Sequence, residues 1–205
     1  MPWSHLRAFG GRTGRINPFH ILLVLSVVMA LPATGATSDE FWPGAEYDPA
    51  VPSIEAVLGD GPGEKIFSHA ELMSYLDALA EALPNRIRVF EYARSWEGRK
   101  LVYAVVGSEE NIGRLDEIKS SMQQLADPTA PDAGEARRNI DSIPAITWLA
   151  YGIHGAELSP PNAGLLTAYH LLAARGDEVV DSILANTLVV IDPTQNPDGR
   201  DRFVH

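Results

Sequence analysis

Two residues three positions apart, His154 and Glu157, are the strongest candidates for chemistry in this sequence. They follow an apolar run, Ala145 to Tyr151, that is rich in β-branched and aromatic residues and ends at Gly152. Such a run predicts a buried strand, and the change to polar residues marks its end. Ligands of open α/β sheets bind just outside the carboxyl ends of strands, so an imidazole and a carboxylate delivered there are placed for function. In a helical turn, residues three apart share a face, and a ring nitrogen and a carboxylate oxygen can converge on one ion. Zinc accepts that pair of ligands.

A second polar cluster has the same setting. Thr187 to Ile191 predicts another buried strand, and it runs directly into Asn196-Pro197-Asp198-Gly199-Arg200. Asp198-Gly199 predicts a turn, which would bring Arg200 and Arg202 near the sheet edge that carries His154 and Glu157. An arginine there can stabilise an oxyanion or grip a carboxylate with two hydrogen bonds.

The elements that must position these groups are legible upstream and between them. Ser68 and Glu71 form a capping box, after which Leu72, Tyr75, Leu76, Leu79 and Leu83 recur at helical spacing until Pro84-Asn85. His69, in the first turn of that helix, reads as a solvated residue. Ile87 and Val89 alternate with Arg88 and Phe90, Trp96-Glu97-Gly98-Arg99 makes a turn, and Leu101 to Val106 is an apolar strand. A hairpin is the simplest account, forming an antiparallel edge of the sheet. Ser108 to Ala126 predicts one helix, with Ile112, Leu115, Ile118, Met122 and Leu125 on one face. Thr129 to Ser142, with Pro131, Gly134 and the pair Arg137 and Arg138, reads as a solvated connection. Beyond the His–Glu pair, Leu165, Leu166, Ala168, Tyr169, Leu172 and Ala173 mark a helix packed on the sheet, in which His170 reads as a surface or internally satisfied residue. Val179 to Leu184 gives a shorter helix before the second strand.

His154-Gly155-Ala156-Glu157 resembles the HxxE metal motif of zinc carboxypeptidases of the carboxypeptidase A type. The Asn-Pro-Asp-Gly segment, one strand farther on, is similar to the segment that this family has at that place, and the helix followed by a Ser95-Trp-Glu-Gly-Arg99 hairpin looks like the opening of its catalytic domain. The resemblance covers roughly Ser68 to His205. It implies a three-layer α/β/α sandwich around a mixed sheet, with zinc as cofactor and peptides or proteins as substrates. It also implies His154 and Glu157 as two of three zinc ligands, with a zinc-activated water that attacks the peptide carbonyl. A family arginine beyond the Asn-Pro-Asp-Gly segment serves that carbonyl, and Arg202 is the candidate here, with Arg200 as the alternative. The family's third ligand, a His, and its general-base Glu lie farther downstream, and His205 is too close behind Asn196 to match that ligand. The expectation is therefore the front part of a longer enzyme, with an incomplete active site and a sheet edge left open. Alternatives are a zinc amidohydrolase or deacylase, a cell-wall peptide hydrolase of the same fold, or a metal-free binding module.

Composition narrows the partners. The formal charge of −11 disfavours nucleic acid, because phosphate binding needs a basic surface. With no cysteine, any zinc must be held by His, Asp or Glu. A hydrophobic content of 45% over 205 residues supplies enough apolar surface for a core. Arg7, Arg12 and Arg15, with no acidic residue among them, precede an apolar run from Ile21 to Leu31 and the small residues Pro32 to Ala36. That layout predicts a signal peptide over residues 1–36, whose apolar run from Ile21 to Leu31 is too short to span a bilayer, and an exported product, periplasmic or secreted, with no stable membrane span after cleavage. Residues 37–65, punctuated by Pro and Gly, read as an extended lead-in whose Phe41, Trp42 and Tyr47 pin it to the domain surface. The catalytic-type domain is then expected over residues 66–205.

Overall fold

The computed structural model describes residues 41–127, 129 and 133–204. The predicted signal peptide and His205 lie outside them.

The helix over 68–83 forms as its sequence directs. α2, His69–Ala82, opens on Ser68, whose hydroxyl accepts the Glu71 N–H while the Glu71 carboxylate accepts the Ser68 N–H. Its apolar stripe, Leu72, Tyr75, Leu76 and Leu79, is fully buried, each side chain contributing roughly 1.5–3 kcal/mol through removal from water. The lead-in is more structured than Pro and Gly content suggests. It contains β1, Glu46–Tyr47, and α1, Ile54–Leu58. Trp42 stacks on the His170 ring at 3.9 Å, and the Tyr47 hydroxyl lies 3.0 Å from His170 Nδ1. His170 is thus buried and satisfied, and the lead-in aromatics do pin that segment down.

β2, Ile87–Arg94, and β3, Lys100–Val106, form the expected antiparallel hairpin, with a register shift between Glu91 and Ala93. The predicted single helix over 108–126 is instead two. α3, Glu109–Gly113, starts on the Ser108 cap and ends where Gly113 meets Arg114, and α4, Leu115–Ala126, follows. Glycine is a poor helix former, and the Arg114 guanidinium is drawn aside to the Ser142 carbonyl at 2.8 Å. The break lets Ile112 and Ile118 both reach the core, whereas Met122 remains exposed. The connection over 129–142 is also not structureless, because α5, Ala133–Ser142, occupies most of it with no buried residue and an Arg137–Asp141 ion pair.

β4, Ala145–Ala150, leads through a turn to α6, Ser159–Ala173, then β5, Ala174–Arg175, which pairs with β1. α7, Glu178–Asn186, is capped by Asp177 and precedes β6, Thr187–Asp192. The four main strands lie in the order β2-β3-β6-β4, antiparallel except for β6 and β4, which are parallel. One face of this mixed sheet carries the larger core, Val102, Ala104, Val106, Val189 and Ile191 under α2, α6 and α7. On the other face Val105, Leu188 and Val190 pack against Ile112 and Ile118 of α3 and α4. The architecture is a three-layer α/β/α arrangement around a mixed sheet.

The prediction of a buried strand holds for β6 and fails for β4. Among the described residues β4 pairs only with β6, and Ile146 and Trp148 are 38% and 56% exposed. Composition alone reads a strand as buried, but burial needs cover on its faces, and of the six β4 residues only Leu149 is partly buried, against the larger core. His69 is the reverse case. It is buried, because the start of α2 packs where Asp201 accepts its backbone N–H at 2.8 Å.

Candidate metal centre

Both polar clusters follow the carboxyl ends of the parallel pair. After β4 the chain runs alongside the segment that leaves β6, as the Tyr151 N–H donates to the Asp192 carbonyl at 2.9 Å and the Asn196 N–H to the Gly152 carbonyl at 3.0 Å. Gly152 turns the chain at φ +62°, a left-handed conformation that glycine adopts without penalty. His154 to Glu157 then forms a single turn, closed by the Glu157 N–H on the His154 carbonyl at 3.1 Å. The helix expected to place the two on one face begins only at Ser159, where Pro160 and Pro161 occupy first-turn positions that need no N–H donor. His154 and Glu157 both face solvent.

Asn196 to Arg200 is a helix start, not the predicted turn. Asn196 Oδ1 accepts the Gly199 N–H at 2.9 Å, its carbonyl accepts the Arg200 N–H at 3.0 Å, and Pro197 opens α8, Pro197–Val204. An Asn cap with Pro at the first helical position is a strong start signal, and this one was readable as such. The two clusters meet in backbone contact: a Cβ placed on Gly155 would lie 2.1 Å from the Gly199 carbonyl carbon.

The two candidate arginines have different settings. Arg200 is 1% exposed. Its Nε donates to the Phe67 carbonyl at 2.7 Å, Nη1 to the Leu158 carbonyl at 2.9 Å and Nη2 to Asn162 Oδ1 at 2.7 Å. Arg202 is 70% exposed at its side chain and pairs with Glu97 of the β2–β3 turn.

Two further groups lie at this end of the sheet, Asp192, which the sequence reading passes over, and Asp198 of the Asn-Pro-Asp-Gly run. Asp192 ends β6 fully buried, with Oδ2 accepting the Tyr92 hydroxyl at 2.9 Å and Oδ1 without a partner. Burial raises its carboxyl above the ordinary value, and burial together with that bond pushes the Tyr92 phenol up to about 12. Asp198 meets the β2–β3 turn. Burial pushes its carboxyl up, but bonds from Ser95, Arg99 and the Glu97 N–H outweigh that, so it titrates below its ordinary value. An Asp closing an apolar strand was the available signal for the first. The contacts of the second, with the β2–β3 turn about a hundred residues away, leave no signal in the sequence.

As a donor set, an imidazole and a carboxylate on one exposed turn match the chemistry of zinc ligation. Among the described residues no three His, Asp or Glu side chains converge to hold a metal. The groups present fit two ligands of a zinc centre.

A sequence model described as zinc carboxypeptidase matches residues 72–204. Curated protein sequences gave no match. Among solved structures, carboxypeptidase A from Helicoverpa armigera is 24% identical with a TM-score of 0.45, the match covering 66% of this chain and 26% of that one. Thrombin activatable fibrinolysis inhibitor is 17% identical with a TM-score of 0.47, covering 67% and 27%. The bovine form of that protein, in complex with tick carboxypeptidase inhibitor, is 18% identical with a TM-score of 0.40, covering 67% and 33%. The match thus spans about a quarter to a third of these structures.

Proposed function

This chain belongs to the zinc carboxypeptidase family, and from that premise we propose that it supplies the front part of an exported metallocarboxypeptidase, hydrolysing peptide bonds in peptide or protein substrates. The observation that carries the proposal is the meeting of the His154–Glu157 turn and the Asn196–Arg200 segment at the carboxyl ends of adjacent parallel strands, with Gly155 against Gly199. That is where an open α/β sheet presents ligands to solvent.

His154 and Glu157 would hold zinc as two of its ligands. Zinc, when bound, lowers the pKa of water toward neutrality and polarises a carbonyl, the two things peptide hydrolysis needs. Arg202 would contact the substrate carbonyl, since its guanidinium lies in solvent and only its Glu97 partner must be displaced. Arg200 would serve the site indirectly, by fixing the Leu158 carbonyl beside Glu157. Its donors are spent within the protein, so a substrate would have to break buried bonds to use it.

The test is substrate selectivity. The exported protein, as its gene encodes it, is offered unblocked peptides, N-acyl amino acids and cell-wall peptides, with release of C-terminal residues followed by mass spectrometry. Release of C-terminal residues from unblocked peptides, abolished by a chelator and restored by zinc, is expected. Hydrolysis confined to N-acyl amino acids or cell-wall peptides would replace the carboxypeptidase assignment with an amidohydrolase one, and binding without hydrolysis would make the domain a recognition module.

A further inference from the structure

The β2–β3 turn and the first turn of α8 are joined side chain to side chain. Ser95 Oγ donates to Asp198 Oδ1 at 2.7 Å, and Arg99 Nη1 donates to the same oxygen at 2.8 Å. The Glu97 N–H donates to Asp198 Oδ2 at 3.1 Å, so both carboxylate oxygens are held by the hairpin turn. Arg99 Nε donates to Asp201 Oδ2 at 2.7 Å, and Asp201 Oδ1 in turn accepts the His69 N–H at the start of α2. Arg99 therefore bridges two carboxylates of α8, in bonds that are charge-assisted and sheltered, as the Asp198 and Asp201 side chains are only 14% and 13% exposed.

Asp198 is next to Gly199, and Gly199 is where α8 touches the turn that carries the two candidate ligands. Gly155 has no side chain with which to adjust that contact. Its backbone rests against the Gly199 peptide, with 2.6 Å from a hypothetical Cβ to the Gly199 Cα. A shift of the α8 start is thereby transmitted to the backbone between His154 and Glu157. The turn is closed by one backbone bond, from Glu157 to His154, and has few means of holding itself.

We infer that Arg99 and Asp198 are positioning residues for the His154–Glu157 turn: the hairpin clamps α8, and α8 sets the spacing of the two ligands through Gly199 and Gly155. The consequence for metal affinity rests on the zinc reading above. The mechanical coupling does not.

Amide hydrogen exchange of the whole chain, compared among wild type, Arg99→Ala, Asp198→Ala and the double variant, tests the coupling, with zinc affinity measured in parallel by competition with a chromophoric chelator. Exchange within residues 152–158 is expected to speed up about tenfold in each single variant and no further in the double one, while α7 exchanges as in wild type. Zinc binding is expected to weaken roughly tenfold, the lower end of what loss of an outer-shell partner costs. Unchanged exchange in 152–158, or exchange raised equally in α7, would overturn the inference, the second result marking a merely structural role. Should either alanine variant fail to fold, Ser95→Ala removes one donor to Asp198 and the acceptor of the Arg99 N–H but leaves the Arg99–Asp198 pair, and must give a smaller change of the same sign in the same segment. A wild-type protein that takes up no zinc would remove the zinc reading, and the exchange comparison would still decide the clamp.

Discussion

Gly155 stands between the two candidate ligands, and its backbone contact with Gly199 leaves no room for a methyl group. Gly155→Ala must push the two motifs apart, at a cost of about 1–3 kcal/mol, the usual range for overpacking. Urea unfolding would read it, and a variant as stable as wild type would show that the contact is slack. Histidine burial gives a second expectation. Burial holds His69 and His170 below the ordinary histidine value. Such groups bind protons less readily folded than unfolded, so the stability they contribute is complete above a pH of about 6.5 and is lost as the pH falls below it. Between pH 7 and pH 5 the wild-type urea midpoint should therefore drop more steeply than that of His69→Gln. Asp192, raised by burial, acts in the opposite direction, but it is common to both proteins and cancels in the comparison. At this scale the sequence made His154, Glu157 and the Asn-Pro-Asp-Gly run legible, because each is a local pattern beside a strand. It hid the burial of Arg200 and His69, which is fixed by partners 133 and 132 positions away.

Elements were readable where their signals are local and misread where distant contacts decide. The capping box at Ser68 and Glu71 specified the start of α2 outright, and Ser68→Ala should cost roughly 0.5–2 kcal/mol through loss of that cap, measurable as a lower thermal midpoint. A smaller loss would mean that Glu71, also held by Lys65 at 2.7 Å, keeps the helix start in place alone. The apolar stripe over 112–125 has one period but two helices, since periodicity is blind to a break that preserves the face. The Asn196-Pro197 start of α8 reads as a turn by its Asp-Gly pair, a frequent turn signal, although the cap residue before it favours a helix. β4 shows the limit most clearly. Its residue types specify a strand, but whether a strand is covered depends on what packs over it.

For the whole molecule, the side of β4 that no described strand pairs, together with the exposed Ile146 and Trp148, predicts a tendency to self-associate. Residues 37–205 expressed alone should elute as mixed oligomers, and Ile146→Lys should shift them toward monomer. A monodisperse wild-type sample with a cooperative thermal transition would contradict this. Zinc ligation by His154 and Glu157 is read out by the zinc content of the purified protein as its gene encodes it, compared among wild type, His154→Ala and Glu157→Ala. One zinc per wild-type chain is expected, with loss of that zinc in both variants while their far-ultraviolet circular dichroism is unchanged. Zinc retained in full by either variant would contradict it, because the turn at the end of β4 would then not be the place where the metal is held.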